Sequence, residues 1–87
     1  MRTLAVVLAG SGAQQITTQN IYASTIVASA SGTDYIGDNT VSANNGQKLS
    51  TTPIVITTSN PRGILLSTIW AIGTGSDKVN FLYEPSA

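Results

Sequence analysis

In Lys78-Val79-Asn80-Phe81-Leu82-Tyr83-Glu84, Val79, Phe81 and Tyr83 occupy every second position and alternate with Asn80, Leu82 and Glu84. Successive side chains of a strand point to opposite faces, so this spacing predicts a strand with one apolar side turned to a core. Just upstream, residues 68–72 read as another strand, and Gly73-Thr74-Gly75-Ser76-Asp77 between the two predicts that the chain closes in a hairpin. The same period of two opens the chain. Leu4, Val6 and Leu8 share one face, and Thr3, Ala5, Val7 and Ala9 share the other.

Between these ends the pattern stays extended. Gly10-Ser11-Gly12 breaks the first strand, and a short strand over residues 13–17 is expected before Asn20. A longer one covers residues 21–29, with Tyr22, Ser24, Ile26 and Ala28 on one side and Ile21, Ala23, Thr25 and Val27 on the other. Neither side is cleanly polar, which implies burial on both or a partner on one. Ser31-Gly32 predicts a tight turn into residues 33–37, making 21–37 a hairpin. Residues 38–52 are mostly polar, contain Asn45-Gly46, and read as loop with a brief extended piece at 40–42. Pro53 opens a strand over residues 54–58, where a missing backbone donor does least harm. Asn60-Pro61-Arg62-Gly63 is a turn, and residues 64–67 fit either an extended piece or one helical turn.

Twelve Thr, nine Ile and six Val favour strands, and helical spacing is nowhere sustained. The expected fold is all-β: a single domain over residues 1–87, built as a small antiparallel β-sandwich or a tulip-like or jelly-roll barrel of about seven or eight short strands. The 21 Ile, Val and Leu residues argue against disorder.

Charge excludes several functions. Four basic residues balance four acidic ones, leaving no cationic footprint for nucleic acid. With no Cys and no His, thiol nucleophiles, zinc fingers, disulfides and the commonest general base are absent. The apolar run Leu4-Ala5-Val6-Val7-Leu8-Ala9 is shorter than the roughly 7 to 15 residues of a signal-peptide core, so it is read as a first strand rather than a leader. Nothing approaches the roughly 18 apolar residues of a spanning helix, and no membrane contact is expected.

The remaining motifs read as structure. Gly73-Thr74-Gly75-Ser76-Asp77-Lys78 lacks the spacing of a phosphate loop and leads into a strand, so no nucleotide is expected. Asp34, Asp38, Asn39 and Asp77 could supply oxygens to calcium, yet match no calcium loop and suit turn capping. Asp34 with Glu84, or Asp38 with Asp77, are candidate carboxylate pairs for glycoside hydrolysis only by default, with no sequence mark of a raised pKa. The hydroxyls have only Lys48 and Lys78 as bases, without a Ser-x-x-Lys pattern. Trp70 is read as core, with a sugar-stacking role as its alternative. No catalytic residue, cofactor or metal is assigned, and Arg2, Arg62 and Trp70 stand as candidate partner contacts.

Size points to association. A chain of 87 residues buries only roughly 60 to 65 % of its extended surface, and small domains without staples commonly rely on neighbours. Eight charges also leave few side chains to stop edge strands from pairing.

Tyr35-Ile36-Gly37-Asp38-Asn39-Thr40-Val41-Ser42-Ala43-Asn44-Asn45-Gly46, followed by Ile69-Trp70-Ala71-Ile72-Gly73-Thr74-Gly75-Ser76-Asp77-Lys78-Val79-Asn80-Phe81-Leu82-Tyr83, resembles small tailed-phage virion structural proteins. The opening strand, the Gly turn and Gln14-Gln15-Ile16 are similar as well, while residues 47–52 are polar where an aliphatic-Pro-Gly turn is usual. The resemblance implies a capsid decoration (cement) protein on the outer surface of the phage head, a homotrimer bound over junctions of the major capsid protein. Its motifs lie at strand ends and turns, so it implies no catalysis. The alternative it leaves is a fibre or tail knob that presents Trp70, Tyr22 or Tyr35 to a carbohydrate.

Overall fold

The computed structural model describes residues 1–10 and 12–86. The chain is all-β, with nine strands among the described residues: β1 Arg2–Val7, β2 Gln14–Gln15, β3 Tyr22–Ala30, β4 Asp34–Gly37, β5 Gln47–Leu49, β6 Ile54–Thr57, β7 Ile64–Leu65, β8 Trp70–Gly73 and β9 Lys78–Pro85. They form two antiparallel sheets packed as a sandwich. The larger runs β1-β9-β3-β6 with β7 beside β3, and the smaller runs β2-β8-β4-β5. No helix of the described residues is long and apolar enough to cross a membrane.

β9 holds the fold together because its alternation is the cleanest. Val79, Phe81 and Tyr83 are buried, while Asn80, Leu82 and Glu84 are exposed. On one side it pairs with β1, whose Val6 is buried and whose Leu4 packs against the same core, and Leu8 just beyond continues the inward row. On the other it pairs with β3. From the smaller sheet, Ile36, Leu49 and Ala71 close the core, joined by Ile16 just after β2 and the fully buried Leu66 just after β7. Fully burying side chains of this size contributes roughly 1.5 to 3 kcal/mol each.

Several local expectations fail. The two proposed hairpins, 21–37 and 68–84, do not exist: β3 and β9 lie in the larger sheet, whereas β4 and β8 lie in the smaller. Residues 31–33 and 74–77 are therefore crossings between sheets. A short Gly-containing stretch can close a hairpin or change layer, and burial decides here. β3 ends on the buried Ala30 and β4 begins on the buried Asp34, and the buried residues of the two strands face one core from opposite sheets. The proposed faces of β3 also change. A register shift between Ala23 and Thr25 inserts Ser24 as a bulge, so Ala23 joins Ile26, Ala28 and Ala30 on the buried side. No strand forms at 40–42. The strand lies instead at β5, where Leu49 enters the core beside Asp34. Residues 64–68 use both readings, β7 and then a single 3-10 turn over Leu66–Thr68. The 60–63 turn forms as expected, with Gly63 N–H donating to Asn60 O at 2.9 Å and Arg62 N–H to Asn60 Oδ1 at 3.0 Å. Of the Gly10-Ser11-Gly12 break, Ser11 lies outside the described residues.

Candidate functional site

Strand register across the larger sheet builds its outer face. Thr3 lies opposite Leu82, Leu82 opposite Val27, and Val27 opposite Val55, giving one row across four strands. Neighbouring strands are about 4.8 Å apart, so the row spans roughly 14 Å. Leu82 is 38 % exposed and Val55 66 %, large values for side chains of this kind. The next row, Ala5, Asn80 and Ser29, is smaller. Its short side chains floor a shallow hollow of about 260 Å³, walled by Leu82, Val27 and Pro53. Among the described residues, charge on this face lies at the two ends of β9, Lys78 and Glu84, with the Met1 ammonium 3.4 Å from Glu84 Oε2.

One margin of this face is an open edge. Leu8 N–H donates to Asp77 O at 2.8 Å, so in the alternating ladder Leu4 and Val6 turn their backbone groups toward β9, and Thr3, Ala5 and Val7 turn theirs outward. Gln14 Nε2 donates to Val7 O at 3.3 Å, and Gln14 Oε1 accepts from Ala9 N–H at 3.1 Å. That side chain covers the end of the edge. Along the rest of β1, no strand among the described residues pairs with the outward side.

The smaller sheet's outer face has a cover instead. Trp70, Ile72 and Tyr35 point outward and are half-buried, and residues 38–46 fold over this face, with Val41 on Gly37, the residue opposite Trp70, Gly46 against Tyr35, and Ala43 sharing a hollow with Tyr35 and Ile72. Val41, only 5 % exposed, is the contact that seats this loop. A Cβ on Gly46 would stand 2.7 Å from Val41 Cγ2 and 2.8 Å from Tyr35 Cβ, so only hydrogen fits there. The loop is bonded to itself. Asp38 Oδ1 accepts from Thr40 N–H at 2.8 Å and Thr40 Oγ1–H at 2.6 Å, and Asn45 Oδ1 accepts from Ser42 N–H at 2.7 Å. The Thr40 hydroxyl, then its amide, hold the Asp38 carboxyl below its ordinary range.

The three candidate contacts do not converge. Arg2 is exposed at the start of β1, opposite Tyr83. Arg62 sits in the 60–63 turn with its guanidinium 5.9 Å from the centre of the Tyr22 ring, beside a hollow shared with Asn20 and Ser86. Trp70 is on the other sheet and, contrary to expectation, outside the core. Ala71 is the residue of β8 that fills the inward position. Strand parity puts the small residue inside and the large one under the loop.

The acidic residues regroup as well. Asp38 is four residues along β4 from Asp34, about 13 Å at strand rise, and Glu84 is seven along β9 from Asp77, about 23 Å. Neither proposed hydrolytic pair forms. Asp34 instead faces Asp77 across the two crossings. Asp34 is 0 % exposed, and neither of its oxygens has a hydrogen-bond donor in good geometry. Burial, then the neighbouring Asp77 carboxyl, push its pKa from 3.8 to about 6, against a smaller downward pull from the Thr74 amide.

Sequence reasoning missed the Thr3, Leu82, Val27, Val55 row because its members are scattered along the chain. The signal was local and faint: Leu82 on the polar side of β9, and Val55 between two inward Ile residues. No family model, curated protein or solved structure matches this chain.

Proposed function

We propose that this chain is a non-enzymatic virion structural protein of a tailed phage, a decoration (cement) protein that binds the major capsid protein as a homotrimer on the outer surface of the head. The observation that carries the reading is the neutral apolar row of the larger sheet beside the open β1 edge. In this reading, β1 adds to a strand of a neighbouring copy through its outward backbone groups. The row and its hollow then rest on the capsid subunit, where apolar burial rather than charge supplies affinity. The phage assignment itself rests on the sequence resemblance around residues 35–46 and 69–83.

The alternative, a knob that binds carbohydrate, has less support. Tyr22 lies under Arg62 at one end of the larger sheet, whereas Trp70 and Tyr35 lie partly beneath the 38–46 loop on the smaller one, so the aromatics make no common platform.

Light scattering of the purified protein at micromolar concentration, followed by co-sedimentation with undecorated phage heads, tests the proposal. A trimer that pellets with heads is expected. A monomer that stays in the supernatant and scores on a glycan array would replace it with the knob reading.

A further inference from the structure

The two crossings between sheets, residues 31–33 and 74–77, lie side by side and are stitched in two ways. The first is ordinary: Ser31 N–H donates to Lys78 O at 2.9 Å, and Lys78 N–H donates to Ser31 Oγ at 2.9 Å. The second is the Asp34 and Asp77 pair. Asp34 packs so closely on Gly73 that an added Cβ there would overlap its carboxylate, and a Cβ on Gly32 would lie 2.7 Å from Asp77 Oδ2. Both carboxyls are thus pressed onto glycine backbone, one of them with no access to water.

Two anions cannot be stable in this arrangement. A buried carboxylate with no donor in good geometry loses its hydration for little in return, the weak pull of the Thr74 amide being outweighed, and a second negative charge beside it adds repulsion. A positive charge has to lie between them, either a proton or a metal ion. A calcium ion would need six to eight oxygens. Among the described residues no third acidic or His or Cys side chain joins the pair. Three carbonyls at this crossing and its exit into β9 are already engaged, Thr74 O by Asp77 N–H, Asp77 O by Leu8 N–H and Lys78 O by Ser31 N–H. The Thr74 amide, which also acts on Asp34, would oppose a cation. A proton needs no such shell.

We propose that Asp34 and Asp77 share one proton, and that this bond is a pH-released latch tying the two crossings together at one end of the sandwich. In the closed form the Asp34 carboxyl is neutral and donates to the Asp77 carboxylate. Loss of the proton leaves two facing anions, and Asp77, half-buried where Asp34 is fully buried, swings toward water. The other neighbours of Asp34 bring no charge to it: β5 presents Leu49, β8 presents Gly73 and β3 ends in Ala30, while Lys48 and Lys78 are exposed. Asp77 is the charged group that perturbs Asp34. The latch is independent of the phage reading.

The direction follows from linkage. Asp34 binds its proton more tightly folded than unfolded, so its contribution is fully present below about pH 4 and is lost as pH rises through about 6. Asp38 acts with the opposite sign in a lower window, losing its contribution as pH falls below the ordinary carboxylate range. The test is thermal unfolding from about pH 4 to pH 7, with a ¹³C titration of the Asp34 carboxyl. The wild-type Tm should fall by at least about 4 °C across that range, and the carboxyl should titrate near 6. Asp34→Asn keeps the shape and supplies a permanent donor, so its Tm should not fall over the range, and at pH 7 the Asp77 amide should exchange more slowly than in wild type. Asp77→Asn, which removes the facing charge, should make the fall shallower and serves if Asp34→Asn does not fold. A flat or rising wild-type Tm, or an unchanged slope in Asp77→Asn, overturns the latch. So does a wild-type Tm at pH 7 that rises with millimolar calcium chloride and drops with a chelator, which would put a cation between the carboxyls.

Discussion

The outer faces of the two sheets meet the same problem in different ways. Trp70, Ile72 and Tyr35 on the smaller sheet and Leu82, Val27 and Val55 on the larger one all point away from the core. Over the smaller sheet the chain supplies its own cover, residues 38–46, seated by the 5 %-exposed Val41. Over the larger sheet the described residues supply none, and Val55 remains 66 % exposed. Apolar rows that a chain does not cover itself are candidates for cover by another molecule. The difference makes the larger sheet, and not the one with the tryptophan, the stronger candidate for an interaction surface.

The comparison can be broken most sharply on the bare face. Replacing Leu82 and Val55 together by Asp should weaken association with copies or capsid at least about 100-fold, by placing charges at the centre of a desolvated contact. Chemical denaturation should move by less than about 0.5 kcal/mol per substitution, because both side chains already face solvent. A large stability loss with intact association would show that the row belongs to the fold and not to an interface.

On the covered face the effects reverse. Gly46→Ala should cost about 2 kcal/mol of stability in urea, since the new Cβ has to displace Val41 and the Tyr35 backbone-proximal carbon. Val41→Ala should cost about 1.5 kcal/mol through lost burial of its methyls. Neither should alter association. Tryptophan fluorescence should redshift in both, because Val41 packs on Gly37, directly opposite the half-buried Trp70 in the ladder. If both leave Trp70 emission and stability unchanged, the loop is no cover.

The smallest expected effect is that of salt. A face whose described charges are Lys78 and Glu84, the latter paired with the Met1 ammonium, gains little from long-range attraction, so association should vary by no more than a few fold between low salt and about 0.5 M. Dissociation over that range would transfer the interface to the charged ends or to Arg2 and Arg62.

Much of the local structure was legible in the residues. The alternation at 78–84 and 4–8 named the buried side chains of β9 and β1, and Asn60-Pro61-Arg62-Gly63 named its turn. Less visible were the Ser24 bulge, which a strict period of two cannot accommodate, and β5, whose three residues include one apolar side chain, Leu49. The apolar row was out of reach because its four members meet only through register among strands far apart in the chain.

By itself, then, the amino-acid order determined an uncharged, strand-rich chain, which way β1 and β9 face, and the absence of His and Cys chemistry. These follow from side-chain identity and from the strand's period of two, both local properties. The tertiary structure alone decided that Ser31-Gly32 and the 73–77 glycines cross between layers, that Asp34 meets Asp77, and which sheet stays uncovered. Those outcomes depend on how two sheets share one core, and the energy of sharing it belongs to contacts that no short stretch contains.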